Sequence, residues 1–458
     1  MSKDKIADYD GTTAGNNTDI GGISIAEGML PSAVNNSMRE LTKQLGAFAN
    51  GTDGIDVLNL HDDDASASIK IQAPSTVTTT TTLTLPDGDG DSGQTLVTNG
   101  SGTLSWHAPY GNRNLIINGA MQVAQRGTSA TFSTSSEGYL VADRFAFSMN
   151  GTSTVYTASQ DTTAPDGFAN SLKLDCTTAD ASLSAGDFTQ LHYRIEGQDL
   201  QQLQKGTSGA KKVTISFYVR SPKTGTHILE IQDRDNTRSI SKAYTVSSAN
   251  TFEYKEVTFD GDTSGALNND NGESFRLTWW LQAGSTYTSG TLATSWESTT
   301  SANRAVGQVN IGDDAANNFF ISGIQMELGE QATPFEHRSY ADELLRCQRY
   351  AVVYSAASSG NETYIGSGTT IDVDDVLVVA SLPNNLRATP TVTFTNFGVR
   401  TAASYTYNNT INNIFPPVGG NTIGFNIDSA DTPYTAGQAV LCVISAGSSN
   451  HLTLDAEL

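Results

Sequence analysis

The stretch ESFRLTWWLQAG, residues 273–284, alternates without a break: Phe275, Leu277, Trp279 and Leu281 fall on one side, Arg276, Thr278, Trp280 and Gln282 on the other. Successive side chains of a β-strand point to opposite faces, so the pattern predicts a strand with one buried face and one polar face. KKVTISFYVR (211–220) repeats it, with Val213, Ile215, Phe217 and Val219 inward and Thr214, Ser216, Tyr218 and Arg220 outward. QLHYRIE (190–196) turns Leu191, Tyr193 and Ile195 in and His192, Arg194 and Glu196 out, and FISGIQMEL (320–328) supplies a closing strand. Strands of this period, separated by Gly, Asn, Ser and Asp loops, predict an antiparallel jelly-roll sandwich over 111–337.

Outward from that segment the chain changes character. VTTTTTLTL (77–85) and SGQTLVTNGSGTLSW (92–106) are β-prone but carry too little apolar surface to fold alone. Such strands need neighbouring chains, so 61–110 reads as a multi-chain β-shaft, with Asn99-Gly100 as a two-residue hairpin turn. Before it, Pro31 opens a predicted helix in which Val34, Met38, Leu41, Leu45 and Phe48 recur at heptad spacing, while Arg39, Glu40, Lys43 and Gln44 face outward. Gly51 and Gly54 end it, and no adjacent apolar segment receives its stripe, which predicts self-association through 29–60. Residues 1–28 are polar and Gly/Asn-rich and are expected to order only against a partner. After the sandwich, RSYADELLRCQRY (338–350) predicts a short helix with Tyr340, Leu344 and Cys347 on one side. The segment 351–458 reads as a small second β-sandwich built from runs such as DVLVVASLP (375–383) and AVLCVISA (439–446). The fold class expected is therefore mainly β: a short helix, a trimeric shaft, a jelly-roll head and a C-terminal sandwich.

Composition narrows the function. Of 458 residues only 16% are charged, and the net charge of -22 opposes binding to nucleic acid or an anionic membrane. Three separated cysteines, Cys176, Cys347 and Cys442, make neither a disulfide framework nor a zinc site and suit a reducing assembly compartment. MSKDKIADYD has no apolar run of a secretion leader, and no stretch reaches membrane-span length. A β-rich, adhesin-like chain of this kind suits a virion component assembled in the host cytoplasm.

Several separated segments carry a resemblance. EGMLPSAVNNSMRELTKQL (27–45), followed by the threonine run and SGQTLVTNGSGTLSW, resembles the N-terminal half of tail fibres of short-tailed bacteriophages. NLIINGAMQVAQRG (114–127), ADRF (142–145), IEGQDLQQL (195–203) and IQMELGEQATPFEHRSYADELLRCQRY (324–350) are similar to the globular head common to many such fibres. LPNNLRATPTVTF (382–394) is similar to the domain that often follows. The resemblance implies a homotrimeric receptor-binding protein of the virion tail. Its residues 1–60 would attach to a tail or adaptor protein, and its distal domains would adsorb to host surface polysaccharide.

Among individual residues, Trp280 stands out, because alternation sends it to the polar face beside Arg276 and Gln282. An exposed tryptophan there stacks on a pyranose while guanidinium and amide groups bond hydroxyls. Tyr218 and Arg220 have the same character on another strand, and His192 joins them if the strands are adjacent. Burial of the same aromatics under a loop or at a trimer interface is the competing reading. Gly88 to Gly93 fits GxGxxG formally, but Asp87, Asp89 and Asp91 repel phosphate, and Ser92 and Thr98 spoil a calcium loop. The acidic loops DRDN (233–236), DGD (260–262) and GDD (312–314) have no spacing that singles out a cation site. No cofactor and no metal are expected. Neither GxSxG nor HExxH occurs, and Glu196, Glu273, Glu297 and Glu327 have no fixed separation that marks a glycosidase pair. A glycan-degrading tailspike and a purely structural tail component are the alternatives to a binding fibre.

Overall fold

The alternation at 273–284 becomes the strand Glu273–Ala283, and Phe275, Leu277, Trp279 and Leu281 all lie in the largest core. The computed structural model describes residues 19–20, 23–24, 30–49, 57–61, 68–76, 78, 80–90, 94–98, 100–107, 113–139, 141–356, 361–401, 405–407, 410–415, 421–428, 434–447 and 450–458. It divides into two units, Met1–Leu83 and Thr84–Leu458.

In the second unit the head is a two-sheet antiparallel sandwich. One sheet orders Glu253–Phe259, Val213–Arg220, Asn318–Leu328, Ser171–Thr178, Val155–Asp161 and Ser129–Phe132. The other orders Glu297–Ser298, Arg238–Val246, Gly225–Asp233, Glu273–Ala283, Phe188–Glu196, Phe145–Asn150 and Glu137–Tyr139. The chain passes repeatedly from one sheet to the other, as in a jelly roll. Their facing sides interdigitate: the Phe217 ring of the six-stranded sheet meets Trp279 of the seven-stranded sheet edge-on, with centroids 5.8 Å apart.

A second sandwich follows. Its three-stranded sheet orders Ala351–Ser355, His451–Asp455 and Thr391–Thr395, and it packs on a seven-stranded sheet around Val376, Val378, Phe397, Phe425 and Leu454. Between the two sandwiches runs the helix Tyr340–Cys347, capped by the Ser339 hydroxyl, which accepts from the Asp342 N–H at 3.1 Å. Its buried side is Glu343 and Cys347, with Tyr340 56% exposed, so the helix is rotated from the Tyr340–Leu344–Cys347 side expected. The cause is polar. The Glu343 carboxylate accepts from the buried Asn118 N–H and, at 3.0 Å, from Arg338.

In the first unit, the helix Pro31–Ala49 begins where Leu30 O accepts from Ala33 and Val34 N–H, leaving Pro31 in the turn that needs no donor. Its stripe stands in solvent: Val34 43%, Met38 64%, Leu41 36% and Leu45 51% exposed. Gln44, expected outward, is buried instead, together with Ser37. The Phe48 side chain, Gly51, Gly54 and the arm before Asp19 lie outside the described residues.

Within the span 61–110 expected as a β-shaft, the described residues of one chain form the hairpin Thr95–Thr98 with Leu104–His107, and Ser68–Gln72 pairs back with Val57–His61. Among the described residues of the threonine run, Thr84 alone is paired, in a parallel bridge to Thr103. Leu83 and Leu85 are exposed, because a threonine-rich strand finds no apolar partner in its own chain. In the 95–107 hairpin Thr98 pairs with Leu104, so the connection is 99–103 rather than a two-residue turn, and Asn99 itself lies outside the described residues. Gly100 and Gly102 take positive φ there, which lets the longer loop close.

Candidate functional site

The outer face of the six-stranded sheet is open. Beside Val213–Arg220 and Glu253–Phe259 it holds a hollow of about 580 Å³ whose lining includes Ser216, Tyr218, Tyr254, Glu256, Gln331 and Phe335. Tyr218 and Tyr254 are directly opposed across the two strands, with ring centroids 5.3 Å apart. Phe168 continues the row 5.6 Å from Tyr218, and Phe335 and His337 follow at 4.9 and 5.2 Å from Phe168.

Backbone geometry makes this row possible. The pairing of Val213–Arg220 with Asn318–Leu328 slips between Ser216 and Tyr218, and Gly323 at the bulge has φ +62°. A Cβ on Gly323 would stand 2.7 Å from the Phe168 ring and 3.0 Å from Tyr218. Only glycine lets both rings lie against the strand.

Polar groups rim the rings. Glu256 accepts from the Ala332 N–H at 2.8 Å, and Ser105 Oγ donates to Gln331 Oε1 at 2.7 Å, which ties the 95–107 hairpin to the edge of the hollow. Thr98 and Gly100 close that side. Burial raises the Tyr254 phenol above its usual range, so it stays a neutral donor and acceptor, and its ring is still 46% exposed. The rings are inclined to one another, by 57° between Tyr218 and Tyr254 and 58° between Tyr218 and Phe168. The exposed Tyr254 ring beside a carboxylate, an amide and hydroxyls still offers what a saccharide needs: stacking for a C–H face and partners for hydroxyls.

Of the residues singled out from sequence, Tyr218 alone lies in this hollow. Arg220 shares its strand face, but its Nε donates to Asn250 O at 2.9 Å and its guanidinium covers the Phe320 ring at 4.6 Å. The other four sit on the outer face of the head's seven-stranded sheet, and that face is capped. Trp280, expected in solvent, is fully buried with Ile228 and Ala305 under the segment around Ser285–Thr288 and Ser301–Asn303. Its Nε1 donates to Glu230 Oε2 at 3.1 Å, and the Arg304 guanidinium lies 4.9 Å over its ring while pairing with Glu230 at 2.7 Å. Gln282 is also buried, accepting from Thr189 Oγ1 at 2.7 Å and donating to Thr154 at 3.0 Å. Arg276 grips Glu273 with two nitrogens, at 2.5 and 2.8 Å. His192 is 1% exposed and meets Thr278 at 3.0 Å, and burial, with Arg276 and Arg194 nearby, holds its pKa well below 6.5.

The segments behind the phage-fibre resemblance converge elsewhere, in a polar lock. Glu336 accepts from the Asn114 N–H at 2.8 Å, and Arg338 donates to Ile116 O at 3.0 Å. Arg349 holds Glu196 with two bonds at 2.9 and 2.7 Å. Arg144 is buried against the Tyr350 ring, pairs with Glu457 and donates to Arg194 O at 2.7 Å. The Arg144–Glu457 pair joins the head to the C-terminal sandwich, Arg349–Glu196 ties the segment after the helix to the head, and the Glu336 and Arg338 contacts hold the head's own first segment.

The four glutamates weighed for catalysis are all engaged. Glu196 and Glu273 are held by arginines, Glu297 accepts from Asn303 at 2.9 Å, and Glu327 accepts from Thr333 Oγ1 at 2.8 Å. Two of the acidic loops are neutralised from within, since Lys205 bridges Asp233 at 2.5 Å and Asp262 at 3.1 Å. In the third, Lys223 pairs with Asp313. Asp91, Ser92 and Gly93 of the GxGxxG-like stretch lie outside the described residues.

The chain matches no family model. It also matches no curated protein. Among solved structures, the enzymatically active domain of bacteriophage CBA120 tailspike protein 4 is 12% identical. That match covers 47% of this chain but only 21% of the tailspike chain, with TM-score 0.24. TmCBM61, solved with β-1,4-galactotriose, is 8% identical over 48% of this chain and 100% of its own, with TM-score 0.25. The family 11 carbohydrate-binding module from Clostridium thermocellum, solved with a β-1,3-1,4-mixed-linked tetrasaccharide, is 13% identical over 46% and 98%, with TM-score 0.23. At these scores the likenesses say nothing of this chain's ligand.

Proposed function

We propose that this protein is a glycan-binding tail fibre of a bacteriophage: a homotrimer held in the virion through residues 1–60, adsorbing to host surface polysaccharide and catalysing no reaction. The observation that carries the binding role is the hollow on the outer sheet face lined by Tyr254, Tyr218 and Phe335, with Phe168 packed behind Tyr218. Tyr254 is exposed while Tyr218, Phe168 and Phe335 are half-buried beside it, and an aromatic cluster rimmed by polar groups is the kind of surface a recognition site uses. Trimerisation draws support from the solvent-facing stripe of Val34, Met38, Leu41 and Leu45, a seam that needs a second copy. Three copies on one appendage raise avidity without new contacts, so a shallow cleft suffices. Attachment to a phage tail rests on the resemblance of the sequence segments.

A glycosidase of the two-carboxylate kind needs a facing acid and base, and Glu256 is the single carboxylate among the described residues of the cleft. The test uses purified protein and the Tyr218→Ala/Tyr254→Ala double variant. Native mass measurement gives the mass of three chains for both. Host-cell adsorption is lost in the variant alone, and no reducing ends appear when host polysaccharide is incubated with either. A single-chain mass sinks the trimer. Undiminished adsorption by the variant sinks the binding site, and new reducing ends make the protein a tailspike-type enzyme.

A further inference from the structure

The seven-stranded sheet of the C-terminal sandwich orders Tyr405–Tyr407, Phe397–Arg400, Ala439–Ile444, Thr363–Thr370, Asp375–Ser381, Thr422–Asp428 and Thr410–Phe415. Val376, Val378, Phe425 and Cys442 fill its core side, so the residues next to them in sequence stand on the outer face. Register lines up one such residue from each of six neighbouring strands: Arg400, Leu441, Ser367, Val379, Gly424 and Phe415. In this row Leu441 is 43%, Val379 51% and Phe415 46% exposed. Gly424 gives the Phe415 side chain room against the sheet, since a Cβ there would stand 3.2 Å from it.

Exposure of this kind is uneven along the chain. Among the described residues of the head, which is more than twice as long, Tyr254 is the single large apolar side chain in solvent, whereas the C-terminal sandwich has six. Most of the others lie before residue 111, on the helix and hairpins that lack apolar cover in their own chain.

Charge decides what can cover this face. Its charged groups stand at the margins: Arg400 is paired with Glu362 at 3.0 Å, and Asp375 and Asp428 oppose each other at the ends of their strands. The middle is neutral. Copies of a chain of net charge -22 repel one another, so they meet where neither presents a charge. Leu441 and Val379 offer a saccharide neither a ring to stack on nor a partner for its hydroxyls, so the centre suits apolar surface. Strands about 4.8 Å apart and about 20 Å long make this a face of about 600 Å². That is close to the roughly 800 Å² each partner gives to a standard interface.

We propose that this face is an interface between copies of this chain, with three such sheets around one axis and Leu441, Val379 and Phe415 turned towards it. It rests on the homotrimer proposed from the helix seam and adds a second contact, in the C-terminal sandwich.

The experiment co-expresses isotopically heavy and light full-length chains with the photo-cross-linker benzoylphenylalanine in place of Leu441. The expected result is a native mass of three chains and, on illumination, heavy-to-light links from position 441 to the same sheet face. Adding Val379→Glu sets like charges against one another and lowers the link yield at least about tenfold, with an unchanged circular dichroism spectrum. Should either change unfold the sandwich, the probe moves to Val379 and the glutamate to Leu441. A single-chain mass removes the trimer and this contact together. A three-chain mass with links only inside one chain, or with none, overturns the contact and leaves the trimer standing. Links to residues before 111, or a yield that Val379→Glu leaves unchanged, overturn it as well.

Discussion

The two outer faces of the head sandwich begin from the same kind of sequence and end differently. One strand in each sheet, Val213–Arg220 and Glu273–Ala283, alternates cleanly and sends an aromatic ring away from the core: Tyr218 on one face, Trp280 on the other. On the six-stranded sheet the neighbours are Tyr254, half in solvent, and a glycine bulge that lets Phe168 and Tyr218 pack close to the strand. On the seven-stranded sheet, Ile228, Ala305 and the Glu230–Arg304 pair close over Trp280 and bury its ring. Alternation therefore fixes the side of the sheet a residue occupies. Exposure depends on what later segments fold across it.

That contrast is open to direct attack, and the largest effect belongs to the capped face. Trp280→Ala removes a fully buried ring that also donates to Glu230, and the cavity left behind costs about 3–5 kcal/mol. Urea denaturation of the variant gives a much lower midpoint, while glycan binding by the fraction that remains folded is unchanged. Binding lost at full stability would return Trp280 to the ligand. The next effect is that of pH on the same face. His192 is held neutral by burial and by Arg276, Arg194, Arg304 and Arg234, so its folded pKa lies below the unfolded 6.5. Below pH 6.5 the unfolded chain binds a proton that the folded chain refuses, and stability falls as pH falls. The slope is at most about 1.4 kcal/mol per pH unit from this group. His192→Gln flattens the pH dependence of the melting temperature between pH 6.5 and 4.5. An identical slope in wild type and variant removes His192 from the account.

Much of the framework was legible in the residues. The strands at 190–196, 211–220, 273–284 and 320–328 turn their apolar sides into one core, as their period requires. Tyr218 was legible as an outward ring. Its companions were not, for particular reasons. Tyr254 sits in EYKEVTF, where charge hides the strand's outer aromatic, and Phe168 and Phe335 come from loops with no period at all. The cap over Trp280 is polar in sequence and closes through backbone bonds, such as Ser241 N–H to Ala293 O and Ala305 N–H to Tyr287 O, which leave no mark on composition. Val34, Met38, Leu41 and Leu45 of the helix stay exposed for a physical reason: nothing within reach in the sequence is apolar enough to cover them.

On the open face, Gly323→Ala strains a residue at φ +62° and drives its Cβ into Phe168 and Tyr218. The expected cost is about 1–2 kcal/mol of stability for the left-handed conformation, with a parallel loss of glycan binding as the ring row is displaced. Stability loss with binding intact would separate the bulge from the site.

Tyr254→Ala gives the smallest effect and the sharpest contrast with Trp280→Ala. The ring is 46% exposed and pairs with Tyr218 rather than with the core, so truncation shifts stability by no more than about 0.5 kcal/mol. Binding weakens about tenfold, or about 1.4 kcal/mol, if the ring stacks on sugar. The two variants thus exchange roles, one losing fold and keeping recognition, the other losing recognition and keeping fold. A Tyr254→Ala protein that binds glycan as tightly as wild type leaves the open face without its central contact. The difference between the two faces would then be one of packing alone.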